Sequence, residues 1–364
     1  MTGRSEWSID SLARDPTVVV CAGPGGVGKT TVAASIALQA ARLGRRACVI
    51  TVDPARRLAD SLGVESLSNT PAPVAGEFRG TLHALMLDTK GTFDDLIDRY
   101  AGTPAQSEAI RQNRIYQNLT GMLSGTQEYM AMEKLYEITE SGEFDIVVVD
   151  TPPTRNALDL LDAPRRLTRF LENRLFRALL GPTRASLRLL SIATEALLRT
   201  ISKVAGAEIV QDAVAFFQAF QGMEEGFSSR AGAVRKLLAD PATAYVLVTS
   251  PRPDSIEETA YFAARLAETG VSPAVLVVNR VHPDFGPVSA APANGRPDDP
   301  LSALFENHER LRAVAEKEGR SVGALVAQVA PSPVVRVPLL DSDVHDLAGL
   351  GAVADQLFGP GLVG

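Results

Sequence analysis

Gly23-Pro24-Gly25-Gly26-Val27-Gly28-Lys29-Thr30-Thr31 follows directly on the apolar run Thr17–Ala22 and opens the Ala-rich stretch Thr30–Leu43. These residues satisfy G-x-x-x-x-G-K-[ST] in the strand–loop–helix setting that the motif requires. Glycines let the backbone turn its N–H groups inward around phosphate oxygens, and the helix N-terminus adds a favourable partial charge. Gly25, Gly26, Val27, Gly28, Lys29, Thr30 and Thr31 are therefore the predicted phosphate-binding residues. Lys29 is expected to reach the β- and γ-phosphates and so to act in catalysis, and the Thr30 hydroxyl to take a place on Mg²⁺.

Outward from this loop, short apolar runs alternate with longer stretches of helical period. The predicted strands are Thr17–Ala22, Arg46–Val52, Gly80–Leu87, Phe144–Asp150, Thr243–Ser250 and Pro273–Asn279, with a last one near Val334–Val337. Most are Val-, Ile- and Leu-rich without alternation, as strands buried on both faces of a parallel sheet read. Gly44 is placed to end the helix that follows the loop. The fold class predicted is α/β, a doubly wound, mostly parallel sheet of the P-loop type, as one domain over 1–364. Two helical regions, 91–138 and 151–240, are read as inserted into it. In the second, Leu167, Phe170, Leu171, Leu175, Leu179 and Leu180 fall at helical spacing, as do Val210, Val214, Phe217, Phe220, Met223 and Phe227. Segment 286–300 (GPVSAAPANGRPDDP) reads as a mobile loop.

Two acids stand at strand ends. Asp150 closes Ile146-Val147-Val148-Val149. It reads either as a helix-capping Asp or as an acid in the ligand crevice, holding Mg²⁺ through water or binding the Thr30 hydroxyl. Asp53, in Asp53-Pro54-Ala55-Arg56-Arg57, is either simply part of a turn or a carboxylate that orients or deprotonates the attacking water.

Composition narrows the function classes. Across 364 residues, 45% hydrophobic content supplies a sizeable core and argues against disorder. A net charge of −7 argues against a general nucleic-acid binder, and 5% aromatics leave few stacking platforms. Two cysteines support neither a disulfide scaffold nor a four-cysteine zinc site, which points to a reducing compartment. With no signal-like apolar stretch in Met1–Asp15 and no run long enough to span a bilayer, the expected location is cytoplasmic.

The Gly-Gly-Val-Gly-Lys-Thr-Thr loop, Val52-Asp53-Pro54-Ala55 and Asp150-Thr151-Pro152-Pro153-Thr154 together resemble the ATPases that drive arsenite pumps and target tail-anchored proteins. These belong to the deviant P-loop class, with partitioning and division-site ATPases as cousins. The likeness runs from Val18 to Leu347 and includes Gln127–Tyr136, Val278-Asn279-Arg280 and Val337-Pro338-Leu339-Leu340-Asp341. The resemblance implies ATP and Mg²⁺ as cofactors, with Thr30 on the metal and Asp53 and Asp150 acting through water. It implies that Asp53 positions the hydrolytic water, that Asp150 and Thr151 open a second switch, and that Asn279 reads the adenine edge. The loop after Val337, with Pro338, would close over the base. It also implies a dimer with facing nucleotide sites.

The chain departs from that pattern at several points. Pro24 stands where the family has a lysine that crosses the dimer interface, so Arg56 or Arg57 is considered as the replacement cation. No Cys-x-x-Cys is present for a zinc clamp. Cys21 and Cys48 fall in predicted strands, and the four histidines are scattered, which argues against arsenite chemistry. One ATPase unit implies pairing with itself or with a paralogous chain. From Pro164 to Lys203 nine basic residues face two glutamates, a net +7, so the remainder carries −14. This segment, within helices 164–227, reads as a wall for a hydrophobic-helix client, a membrane-facing surface, or an ordinary helical subdomain. The expected function is a dimeric ATPase whose switch loops move a client-binding helical subdomain. The alternatives are a low-turnover scaffold paired with a paralogous ATPase, and a partitioning-type ATPase.

Overall fold

In the computed structural model, the described residues are 7–52, 57–114, 116–117, 126–152, 207–287 and 300–359. In chain order the first elements are β1 (Val18–Ala22), α1 (Lys29–Arg42), β2 (Arg46–Thr51), α2 (Arg57–Leu62), β3 (Ala72–Pro73), β4 (Thr81–Met86), α3 (Thr89–Tyr100) and α4 (Pro104–Gln112). Then come α5 (Thr126–Glu140), β5 (Ile146–Asp150), α6 (Ala207–Ala219), α7 (Glu224–Ala239), β6 (Thr243–Thr249), α8 (Pro253–Glu268) and β7 (Val275–Val281). The last are α9 (Pro300–Ser321), α10 (Gly323–Val329), β8 (Val334–Pro338) and α11 (Leu347–Phe358). The chain divides into two compact units: Met1–Met86 with Ile138–Leu158 and Pro241–Gly364, and Leu87–Glu137 with Asp159–Asp240.

The first unit holds an eight-stranded sheet in the order β3-β4-β2-β5-β1-β6-β7-β8. Every pairing is parallel except β3 with β4. The chain winds from β1 outward to β2 and β4, returns to β5, and then passes to β6 on the other side of β1. Its reversal point therefore lies at β1, whose carboxyl end is where such sheets take ligands. All residues of β1, β5 and β6 are buried, which explains why these runs do not alternate. Val19, Cys21, Val49, Val148, Val246 and Val277 share one core cluster with Ile36 of α1 and with Leu350, Val353 and Leu357 of α11. Helix α1 ends as Gly44 predicts: at φ +95° its N–H bonds Ala41 O at 3.1 Å while the Arg45 N–H reaches Ala40 O at 3.0 Å. That is the paired closure only a left-handed residue permits.

The predicted strands all form, with ends trimmed by a residue or two, except that β7 runs on to Val281 and β8 to Pro338. The two-residue β3, Ala72–Pro73, is an addition; Ala-Pro carries no strand signal and pairs only because β4 offers an edge.

In the second unit, α3, α4, α6 and α7 gather an aromatic cluster. Phe93 stacks on Tyr116 at 5.3 Å, and Phe227 meets Tyr100 at 5.3 Å and Phe220 at 5.0 Å. Gly226 lets Tyr100 approach, since a Cβ there would lie 2.3 Å from its ring. Of the positions read from the sequence, Phe220, Met223 and Phe227 are buried, whereas Phe217 is only partly buried and its neighbour Phe216 is buried instead. The Arg230 Nε donates to Glu133 Oε1 at 2.6 Å, both side chains buried, and its guanidinium lies 4.1 Å over the Tyr136 ring. Among the described residues no helix is long and apolar enough to cross a membrane. The basic segment 164–203, the apolar positions 167–180 and most of the 286–300 loop lie outside the described residues.

Candidate functional site

The parallel register brings three strand ends level. Cys21 of β1 and Thr51 of β2 both stand opposite Asp150 of β5. From β1 the chain enters the glycine loop. Gly23 is required by crowding, because a Cβ there would lie 2.0 Å from Val248 O on β6. Gly28 sits at φ +93°, ψ +26° at the mouth of α1. A Cβ at Gly28 would also lie 2.2 Å from the Asn279 Nδ2, so this position excludes a side chain twice over.

Around this loop the functional side chains converge. Lys29 is buried, and its Nζ donates to Pro24 O at 2.8 Å. The Thr30 Oγ1 donates to Asp150 Oδ2 at 2.6 Å, and the Thr51 Oγ1 donates to the same oxygen at 3.1 Å. Thr151 donates its hydroxyl to Cys21 O at 2.9 Å, which ties the exit of β5 to the exit of β1. Burial, with Asp150 alongside, pushes the Cys21 thiol up, so it behaves as an apolar filler. Asn279 donates Nδ2 to Val27 O at 2.8 Å and accepts the Arg280 N–H at 3.0 Å. Arg280 in turn donates Nη1 to Gly26 O at 3.0 Å.

These groups border a cleft of about 570 Å³. Gly26, Gly28, Lys29, Thr30, Thr31, Asp150 and Thr151 line one part, and Asn279 and Arg280 another. Pro338 and the segment through His345 complete it, with Asp60 and Ser61 of α2. That volume suits a nucleotide-sized ligand. Thr30 and Asp150 fit a magnesium ion by donor chemistry: both offer hard oxygens, and the Thr30 hydroxyl already points its proton at Asp150, which leaves its lone pairs outward.

The structure thus brings Lys29, Thr30, Thr31, Asp150, Asn279 and Pro338 to one cleft. Asp53 and Arg56 lie outside the described residues, as does the side chain of Arg57. Asn279 has a further use besides the adenine role that the resemblance implies, since it clamps the loop's own backbone. Sequence reasoning missed two groups. Thr51 had a faint signal, a polar residue closing a buried strand. Arg280 enters there only as part of Val278-Asn279-Arg280, with no role, because its bond to Gly26 joins residues 254 apart in the chain.

A parallel sheet whose reversal-point strand runs through a glycine loop into a helix, with Lys29, Thr30 and Asp150 at the strand ends, defines a P-loop nucleotide-binding protein. Comparison with known proteins narrows that class. The family model of the anion-transporting ATPases matches residues 16–292, and the chain belongs to that family. It is 34% identical over 272 residues to an uncharacterised protein of Streptomyces coelicolor, covering 74% of this chain and 63% of that one. It is 30% identical over 178 residues to ATPase asna-1 of Caenorhabditis elegans, covering 46% and 51%. A longer alignment, 24% identical over 348 residues, links it to ATPase GET3 of Malassezia globosa and covers 94% and 91%. The chain thus spans about half to two-thirds of the length of the first two relatives.

Proposed function

We propose that the chain binds ATP with Mg²⁺ in this cleft and hydrolyses it to ADP and phosphate. The observation that carries the reading is the shared hydrogen bond of Thr30 and Asp150 beside a buried Lys29, at the end of a left-handed glycine loop. In this reading the loop N–H groups bind the phosphates, and Lys29 leaves Pro24 O to bridge the β- and γ-oxygens. Thr30 and Asp150 would hold Mg²⁺, which neutralises charge on the transferred phosphoryl group. Asp53 orients the attacking water. Asn279, which keeps one N–H and one lone pair in reserve, reads the adenine edge while Pro338 lies against the base.

The functional unit in this reading is a dimer, and the switch segments after Asp53 and Asp150 transmit the nucleotide state to the helical unit. Connectivity supports this: the chain enters the second unit directly after β4 and again a few residues after Asp150. The helical unit would engage a hydrophobic helix or a membrane surface through 164–227.

Pro24 favours a second reading, slow turnover alone and activation by a paralogous partner, because it removes a cation from the loop. ATPase assays of the chain with and without such a partner separate the two. Lys29→Ala is expected to lower nucleotide affinity at least about a hundredfold, by loss of a charge-assisted contact in a buried site. Retained affinity by calorimetry would overturn the P-loop reading. Asp53→Asn is expected to keep MgATP binding and lose turnover, and co-purification with that variant is the test for a client.

A further inference from the structure

The end of β7 is irregular. Asn279 pairs with Val337 and Val281 pairs with Pro338, so Arg280 is the extra residue of a bulge. Its backbone stands at φ +60°, the one positive φ among the described non-glycine residues. Such a conformation is uncommon for a long side chain and persists where the surroundings enforce it.

The bulge aims two neighbouring groups at two successive carbonyls of the phosphate-binding loop. Arg280 takes Gly26 O at 3.0 Å, and Asn279 takes Val27 O at 2.8 Å. In a trans peptide the C=O and N–H point in opposite directions. With these carbonyls turned toward β7, the N–H groups of Val27 and Gly28 are turned away from it, as donors to a phosphate must be. A cation on the carbonyl also polarises its peptide and strengthens the N–H on the far side. Lys29 donates to Pro24 O, so cationic donors sit on alternate carbonyls of the loop, and of the two Arg280 is the one that stays on its carbonyl in the proposed reading.

We infer that Arg280 is a positioning residue for nucleotide binding: through the Gly26–Val27 peptide it fixes and polarises a phosphate-facing N–H. This rests on the P-loop reading above. The contact is specific to binding energy that ADP and ATP share, because the loop grips phosphates common to both. Arg280 therefore acts on affinity, uniformly for the two nucleotides, and leaves the chemical step alone.

The test uses three variants of the full chain, titrated with MgADP and MgATP by calorimetry and assayed for steady-state turnover. Arg280→Gly keeps the left-handed backbone and removes the guanidinium. It is expected to weaken both nucleotides by the same factor, about three- to fivefold, as for one exposed charge-assisted hydrogen bond. KM rises with it while kcat stays within about twofold. Arg280→Lys returns a single cationic donor and is expected to recover part of that affinity. Arg280→Ala keeps the Cβ and the backbone cost that the parent already bears at φ +60° and loses only the guanidinium, so it is expected to match Arg280→Gly in its loss of affinity. Unchanged affinity in Arg280→Gly overturns the inference and leaves the P-loop reading intact. A selective loss of kcat, or failure of Lys to recover any affinity, overturns it also. If the unsubstituted chain binds neither nucleotide, the P-loop reading itself falls.

Discussion

Gly28 and Asn279 are coupled by contact, and the coupling has a predictable size. Replacing Gly28 by Ala imposes two separate costs. Holding an alanine at φ +93° costs about 1–2 kcal/mol. The new Cβ would lie 2.2 Å from the Asn279 Nδ2, a separation no structure tolerates, so Asn279 must move. Moving it breaks its bonds to Val27 O and the Arg280 N–H, each worth about 1 kcal/mol. Gly28→Ala alone should therefore cost about 3–4 kcal/mol. Asn279→Ala alone should cost about 2 kcal/mol for the same two bonds. In the double variant the clash is gone and the bonds are already lost, so its cost is also about 3–4 kcal/mol. The two substitutions are thus non-additive by about 2 kcal/mol, the signature of touching residues. Equilibrium urea unfolding of the nucleotide-free protein, followed by circular dichroism, measures all four corners of the cycle. Strict additivity would refute the claim that Asn279 packs on the left-handed glycine.

Two further predictions concern groups away from the nucleotide. Burial raises the Glu133 carboxyl above its ordinary value, and Arg230 opposes that shift only in part. A folded-state pKa above the unfolded one means that the native protein holds the proton more tightly. The stability contribution of Glu133 is therefore greatest below the unfolded pKa and declines as pH rises toward the folded value. The slope is at most about 1.4 kcal/mol per pH unit, and Glu133→Gln should remove it. Urea titrations between pH 4 and pH 8 read the slope; the same slope in both proteins would show that Glu133 is not its source. Cys21 and Cys48 are both buried and neither is in a disulfide, and the Cys21 thiol is pushed up besides. Neither should react with a thiol-disulfide reagent at pH 8 in the native protein, and both should react at once in urea. Rapid native labelling of either one would contradict the packing of β1 or β2.

The parts of this fold legible in sequence are those that local chemistry dictates. The run Val18–Ala22, the glycine loop and the Ala-rich helix ending at Gly44 each carry their own signal, and together they fix the start of a parallel sheet. Asp150 was legible as an acid closing an apolar strand, and so was its bond to Thr30; its other neighbours were not. That Thr51 and Cys21 stand level with it follows from the order in which strands pair, which no local pattern encodes. Arg280 is further from sequence still. Its importance comes from a bulge, and a bulge is a mismatch between β7 and β8 that neither strand shows alone. The one position misread in that helix, Phe217 in place of Phe216, has a similar origin. Consecutive aromatic residues leave the helical phase open by one position, and the choice was made by Phe220 and Phe227 across the aromatic cluster.

Pro24 then takes a narrower meaning than the loss of a lysine suggests. What this position gives to the phosphate-binding loop is a carbonyl, the one that holds Lys29 at 2.8 Å. Any residue supplies that carbonyl, and proline supplies it with φ already fixed near −65°. The N–H that proline lacks precedes Gly25 to Thr31, the donors of the proposed reading, so that reading does not need it. The substitution is therefore silent for the internal geometry of the loop and acts only on what position 24 presents outward. In the proposed reading, Pro24 leaves the groups that brace the loop from within untouched, and a deficit there is read in turnover before it is read in the affinity of the isolated chain.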